Sequence, residues 1–163
     1  MGIRIAVLTI SDACSKGERK DTSGDSIVAW VTTQKMKLAA RELVADETVD
    51  IVRTLAQWSD HDVADLILTT GGTGLAPRDV TPQATRAVVE REAPGIAEEL
   101  RRHGTASTKY AVLSRGLAGV RNKTLIVNLP GSPKGVEDGL KVLGEIVEHA
   151  VRLIRDEPTE HKA

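Results

Sequence analysis

Two alternating patterns of apolar residues run along this chain. Short, nearly continuous runs of β-formers occupy Ile3–Ile10, Leu66–Thr70 and Leu125–Leu129. Between them, apolar residues recur every three or four positions. A run of the first kind predicts a strand covered on both sides of a sheet, and spacing of the second kind predicts a helix with one buried face. Leu38–Val44 is a further, weaker strand candidate. Helices are expected from Ser26 to about Lys35 (Ile27, Trp30, Val31) and from about Asp46–Thr48 through Val49, Val52, Leu55 and Ala56. A third starts near Pro133–Val136, with Val136, Leu140, Leu143, Val147, Ala150, Val151 and Ile154 in one long stripe. Thr81-Pro82 reads as an N-cap followed by proline at the first helical position, opening a helix through Ala84, Val88 and Val89 toward Glu92. Pro94-Gly95 interrupts that helix, and Ile96–Arg102 forms another. Lys109–Lys123 is ambiguous, with Tyr110–Leu113 compatible with helix or strand.

Strands alternating with helices predict an α/β fold with a mostly parallel sheet and helices on both faces. Such sheets bind ligands outside the carboxyl ends of their strands. The loops after the strands at Ile3, Leu66 and Leu125 should therefore converge on one pocket.

The chain has 163 residues, enough for one domain with a real core. A single domain is expected over residues 1–155, followed by a polar tail, residues 156–163, that frays. Phenylalanine is absent and aromatics make up 2%, so the core must be built from Val, Ile, Leu and Ala. The same shortage argues against base stacking, and the net charge of −1 gives no general attraction to nucleic acid or anionic lipid. The N-terminal apolar run is too short to span a membrane and carries no cleavage-site pattern. One cysteine, Cys14, cannot form an internal disulfide, which points to a reducing cytoplasm. His61, His103, His149 and His161 lack metal-ligand spacing and are expected at the surface.

The candidate chemistry centres on Thr69-Thr70-Gly71-Gly72-Thr73-Gly74 and the Pro77-Arg78-Asp79 that follows. It is neither a Walker A loop nor Gly-x-Gly-x-x-Gly. Three glycines in four residues let the backbone approach a ligand with its N–H groups turned inward, and a helix N-terminus beside them favours anions. A side chain at Gly72 would then occupy the phosphate's place. Asp79 beside a phosphate calls for a cation such as Mg²⁺, although an acid in a loop can also be a plain turn-former. Asp46, after the second strand candidate, could join Asp79 on the metal or simply cap a helix. Ser114-Arg115 offers a hydroxyl and a guanidinium, either for phosphate or for solvent. Asn128-Leu129-Pro130-Gly131-Ser132-Pro133 is a rigid strand-to-helix turn suited to a ligand wall.

Taken together, these motifs closely resemble the MoaB/Mog family of molybdenum cofactor biosynthesis proteins. The resemblance is carried by residues 69–74, Pro-Arg-Asp-Val-Thr-Pro at 77–82, Leu-Ser-Arg at 113–115, Asn-Leu-Pro-Gly-Ser-Pro at 128–133, Ser11-Asp12 with Asp21-Thr22-Ser23-Gly24, and Asp46-Glu47. It extends to about Arg155. The resemblance implies a three-layer α/β/α molybdopterin-binding fold and a nucleotidyltransferase activity, in which Mg-ATP adenylylates molybdopterin to give adenylyl-molybdopterin and pyrophosphate. On this resemblance Asp46 and Asp79 are the functional acids and Mg²⁺ ligands, and Ser114 is the active-site serine. Gly71, Gly72, Thr73 and Gly74 form the phosphate loop, with Thr70, Asn128, Pro130, Gly131 and Ser132 as further binding positions. The family implies a cytoplasmic homotrimer or homohexamer, with other molybdenum cofactor biosynthesis proteins as partners. Pro-Gly-Ser-Pro-Lys-Gly and the loop around Cys14 look more like the MoaB branch, for which the alternative is a molybdopterin carrier or scaffold that does not catalyse.

Overall fold

The computed structural model describes residues 2–159. In chain order its elements are β1 (Arg4–Ile10), α1 (Asp12–Ser15), α2 (Thr22–Thr33), β2 (Lys37–Val44), α3 (Thr48–Asp60), β3 (Leu66–Thr70), α4 (Thr81–Val88), β4 (Arg91–Glu92), α5 (Pro94–Gly104), a 3₁₀ turn (Lys109–Leu113), β5 (Ala118–Arg121), β6 (Thr124–Leu129) and α6 (Pro133–Ile154). The sheet runs β2-β1-β3-β6-β5-β4. Its first four strands are parallel, and β5 and β4 complete it antiparallel.

Each central strand is apolar throughout because the pleat sends alternate side chains into two separate cores. Ile5 and Val7 of β1, Leu66 and Leu68 of β3, and Leu125, Val127 and Leu129 of β6 face α2, α5 and α6. Ala6, Leu8, Ile10, Ile67 and Ile126 face α3 and α4 on the other side. The result is the expected three-layer α/β/α arrangement. With no phenylalanine available, Ile and Leu fill both cores, and each such side chain fully buried is worth about 1.5–3 kcal/mol. The strand β2 lies at the sheet edge and leaves Leu38 and Leu43 partly exposed, which explains its weak signature.

Four boundaries differ from the sequence reading. The helix α2 begins at Thr22, ahead of Ser26, because the Asp21 carboxylate caps it by accepting the Gly24 N–H at 2.9 Å. Thr81 is not the N-cap of α4. Val80 holds that position, and Thr81 is the first helical residue, with its hydroxyl turned back into the glycine loop. The same helix stops at Val88, short of Glu92, since Val89 turns extended and the Glu90 N–H pairs with Val120 O. Pro94 does not interrupt a helix but starts α5, where its missing N–H is no loss. The ambiguous stretch divides into the 3₁₀ turn and the short strand β5, which Asn122 ends in a left-handed turn at φ 50°.

His61 is exposed and His103 half-buried, while His149 is exposed. His161 and the tail beyond Thr159 lie outside the described residues. No helix among the described residues is long and apolar enough to cross a membrane.

Candidate functional site

The loops after β1, β2, β3 and β6 meet at the carboxyl edge of the sheet. Two clefts open there. One, of about 630 Å³, lies between the glycine loop, the 3₁₀ turn and the start of α6, and includes Ser114, Pro130 and Lys134. The other, of about 520 Å³, lies over β1 and includes Ser11, Arg19, Asp21, Ser23 and Asp46. Gly72, Asp79, Gly131 and Ser132 line both. The glycine loop is therefore the wall between two compartments, and Asp79 stands at their junction.

The loop's backbone is turned in one direction. Gly71 and Gly72 adopt φ values of 101° and 67°, which other residues reach only with strain. Thr81 holds both carbonyls: its hydroxyl donates to Gly71 O at 2.9 Å and its N–H to Gly72 O at 3.1 Å. Arg115 holds the next ones, with its N–H donating to Thr73 O at 2.8 Å and its Nε to Gly74 O at 2.8 Å. Its Nη2 donates to Asp79 O at 2.6 Å. Every carbonyl from Gly71 to Gly74 is thus engaged inside the protein. Among the described residues the amides of Gly72, Thr73 and Gly74 donate to nothing. A run of unpaired N–H groups whose carbonyls are all engaged elsewhere is suited to an anion. Arg115 is half-buried and braces the loop, with Nε and Nη2 both turned to backbone carbonyls, a role its sequence position did not suggest.

A Cβ added to Gly72 would lie 2.3 Å from Thr81 Oγ1 and 3.1 Å from Asp46 Oδ1. Position 72 therefore points its missing side chain into the protein, not into the space of a ligand as the sequence suggested. A Cβ at Gly71 would meet Ile10 O at 2.1 Å.

The two acids do converge. Asp79 is half-buried, and its Oδ2 accepts the Ala76 N–H at 3.0 Å. Asp46 Oδ2 accepts the Asp12 N–H at 2.9 Å. Burial pushes the Asp46 carboxyl up, as do the nearby charges of Asp12 and Asp79, against lowering by the Asp12 contact and by Arg78. Asp12 itself is held down to about 2, chiefly by its hydrogen bond from Arg78. Asp46 and Asp79 are thus close enough to repel, and together with ligand phosphates they are a suitable donor set for Mg²⁺, which takes one or two carboxylates and keeps phosphates and waters. No group of three or more His, Cys, Asp or Glu able to hold a metal occurs among the described residues, so the protein alone is not a closed cage.

The other sequence candidates divide into surface and support. Ser114 is half-buried on the first cleft, its Oγ accepting the Gly116 N–H at 3.3 Å. Ser132 caps α6 by accepting the Gly135 N–H at 3.1 Å and places that helix start between the clefts. Thr70 donates to Pro130 O at 2.7 Å, tying the glycine loop to the Pro130–Pro133 turn. Asn128 is only 4% exposed, and its amide is fully committed: Nδ2 donates to Thr69 Oγ1 and Thr85 Oγ1, and Oδ1 accepts the Leu117 N–H. It supports the floor of the cleft.

Sequence reasoning passed over Asp21 and Ser23 as site residues, although both were visible in the opening motif. Asp21 accepts from Thr9 Oγ1 at 2.7 Å and Arg41 Nη2 at 3.0 Å, and the Ser23 hydroxyl reaches Gly131 O at 2.7 Å. Burial pushes the Asp21 carboxyl up, but these hydrogen bonds outweigh it and hold the group below its ordinary value.

The family profile described as a probable molybdopterin binding domain matches residues 6–149. The molybdenum cofactor synthesis protein cinnamon of Drosophila melanogaster is 43% identical over 95% of this chain, which spans only 26% of that protein. The molybdopterin adenylyltransferase of Helicobacter pylori strain J99 is 40% identical, with 93% of this chain and 88% of that protein aligned. The crystal structure of the molybdopterin biosynthesis enzyme MoaB from Thermus thermophilus superposes with a TM-score of 0.89 at 48% identity, covering 96% of this chain and 98% of that one. The Mog protein of Mycobacterium ulcerans gives a TM-score of 0.88 at 39% identity, covering 93% and 99%. With the loop, the acids and the fold in agreement, the chain belongs to the MoaB/Mog family of molybdenum cofactor biosynthesis proteins.

Proposed function

We propose that this protein adenylylates molybdopterin, transferring AMP from Mg-ATP and releasing pyrophosphate. The observation that carries this reading is the pair of clefts sharing one anion-binding loop and one acid, Asp79. A reaction between two phosphorylated substrates needs such an arrangement. The terminal phosphate of molybdopterin attacks the α-phosphorus of ATP; the new O–P bond forms as the bond to the β-phosphate bridging oxygen breaks, and pyrophosphate leaves with the electron pair. The attacking phosphate is already anionic near neutral pH, so no strong base is required, in keeping with clefts that contain no histidine. The barrier lies in bringing two polyanions together in line.

In this reading the 630 Å³ cleft holds the pterin, with Ser114 bonding to it or its phosphate, and the 520 Å³ cleft holds the nucleotide. The Gly72–Gly74 amides and the start of α6 receive phosphate oxygens. Asp79 orients the triphosphate, and Asp46 stands on the nucleotide side. Asp46 and Asp79 would hold Mg²⁺, which would supply the positive charge that offsets repulsion between the two phosphorylated substrates. A cytoplasmic homo-oligomer of three or six copies is part of the same proposal. The test is pyrophosphate release on mixing the protein with Mg-ATP and molybdopterin. Release dependent on both substrates is expected. Tight molybdopterin binding without release would establish the non-catalytic carrier in its place.

A further inference from the structure

Three loops at the nucleotide-side cleft are cross-braced by a pair of aspartates that hold each other. The Asp12 N–H donates to Asp46 Oδ2 at 2.9 Å, and the Asp46 N–H donates to Asp12 Oδ1 at 3.0 Å. This leaves Asp46 Oδ1 facing the glycine loop, 3.1 Å from where a Gly72 Cβ would lie. Asp12 is not occupied in capping its own helix, because the Ser11 hydroxyl does that by accepting the Cys14 N–H. Instead its carboxylate receives Arg78, with Nε to Oδ2 at 2.6 Å and Nη2 to Oδ1 at 3.1 Å. Arg78 also reaches Glu47 Oε1 at 2.8 Å, so one guanidinium next to Asp79 in sequence joins both flanking loops.

We propose that Asp12 is a positioning residue: paired with Arg78, it fixes the Asp46 carboxylate against the glycine loop at the wall of the nucleotide-side cleft, and thereby sets affinity for a divalent cation–nucleotide complex. This rests on the reading of Asp46 as a nucleotide-side acid. Asp12, with Glu47, holds the Arg78 guanidinium and so keeps it out of hydrogen-bond contact with Asp46. Without the Asp12 carboxylate, the Asp46 N–H loses its acceptor and Arg78 loses its main partner, leaving Glu47 and Asp46 as the carboxylates to receive it.

The experiment measures Mn²⁺ with a non-hydrolysable ATP analogue, following free Mn²⁺ by electron paramagnetic resonance, beside molybdopterin affinity and melting temperature. Asp12→Ala should weaken the Mn²⁺–nucleotide complex about tenfold, the effect of losing one hydrogen bond to a charged group. Molybdopterin affinity should hold. Asp12→Asn keeps an oxygen for the Asp46 N–H and should recover part of the loss. Unchanged Mn²⁺–nucleotide affinity in Asp12→Ala would overturn the inference, as would equal weakening of both ligands with a lowered melting temperature, the mark of a purely structural brace. Asp46→Asn separates the levels. If Asp46→Asn weakens binding and Asp12→Ala does not, only the inference fails. If Asp46→Asn changes nothing, the parent reading of Asp46 fails, and the inference with it.

Discussion

Replacing Gly72 with alanine tests whether the glycine loop is held from within or merely kept clear for a ligand. At φ 67° an alanine costs roughly 1–2 kcal/mol for the left-handed conformation. Its Cβ would sit 2.3 Å from Thr81 Oγ1, and Thr81 is fully buried, so this hydroxyl cannot swing into solvent. The hydroxyl must leave Gly71 O, to which it donates at 2.9 Å. An inner carbonyl stripped of its partner adds about 1–3 kcal/mol. The sum is about 3 kcal/mol, and a chain of this size loses about 2–4 °C per kcal/mol, so the melting temperature should fall by about 6–12 °C. Calorimetry on the purified variant reads this directly. Gly74→Ala is the matched control. Gly74 has no positive φ, and its Cβ would meet only the Asp79 carboxylate, with Oδ2 at 2.8 Å, whose bond from the Ala76 N–H is exposed and can yield to water. That variant should keep its melting temperature within about 2 °C, a shift of under 1 kcal/mol, while shifting Asp79 and losing turnover. A Gly72→Ala protein of normal stability that no longer binds phosphate would refute the reasoning, because it would mean that the added methyl enters ligand space.

Asp79→Asn should lower pyrophosphate release by about two orders of magnitude while leaving molybdopterin binding intact, as expected for a group that acts on charge in the transition state; parallel loss of both would make Asp79 a uniform binding residue. Asn128→Ala should cost about 1–3 kcal/mol in urea unfolding, since it strands the Leu117 N–H in the interior; an unchanged midpoint would contradict its role as a crosslink. For Asp65, burial pushes the carboxyl up, but Arg4 and Arg155 outweigh this and hold it below its ordinary 3.8. A lowered folded-state pKa stabilises above the unfolded value, and that stabilisation is lost as pH falls through the folded value. Asp65→Asn should therefore melt below the parent protein at pH 7, with the gap closing below about pH 3.8; a gap that stays constant down to pH 2 would rule this out.

What the sequence made legible was whatever depends on long runs. Strands β1, β3 and β6 are apolar at every position because two cores claim them, and α6 repeats its stripe over six turns. The two-residue strand β4 has no period to detect, and β5 carries only Ala-Gly-Val-Arg. Their pairing depends on Gly119, where a Cβ would meet Arg91 O at 2.9 Å, a constraint visible only in three dimensions. At the site, residue types were legible and partners were not. Arg115 and Asn128 have the right chemistry to touch a ligand, yet Arg115 Nε and Nη2 and the whole Asn128 amide are engaged by carbonyls, hydroxyls and an amide supplied by distant segments. Conversely, Ser11-Asp12 is visible in the sequence as part of the opening motif, but its partners Asp46 and Arg78 become evident only in the fold.

These supporting contacts bear on catalysis as well as stability. An amide attracts an anion only while its own carbonyl, and those of its neighbours, point elsewhere. In a flexible glycine loop the peptides would rotate, and each rotation would present an oxygen lone pair to the phosphate. Thr81 and Arg115 prevent that by holding four successive carbonyls, and Asn128 ties Thr85, whose hydroxyl in turn donates to Thr81 O at 2.8 Å. The orientation is fixed before a ligand arrives, so binding energy is not consumed in ordering the loop. A chain that keeps three glycines for close approach must remove their freedom by other means, and here the means are a buried threonine, a buried asparagine and one arginine turned inward.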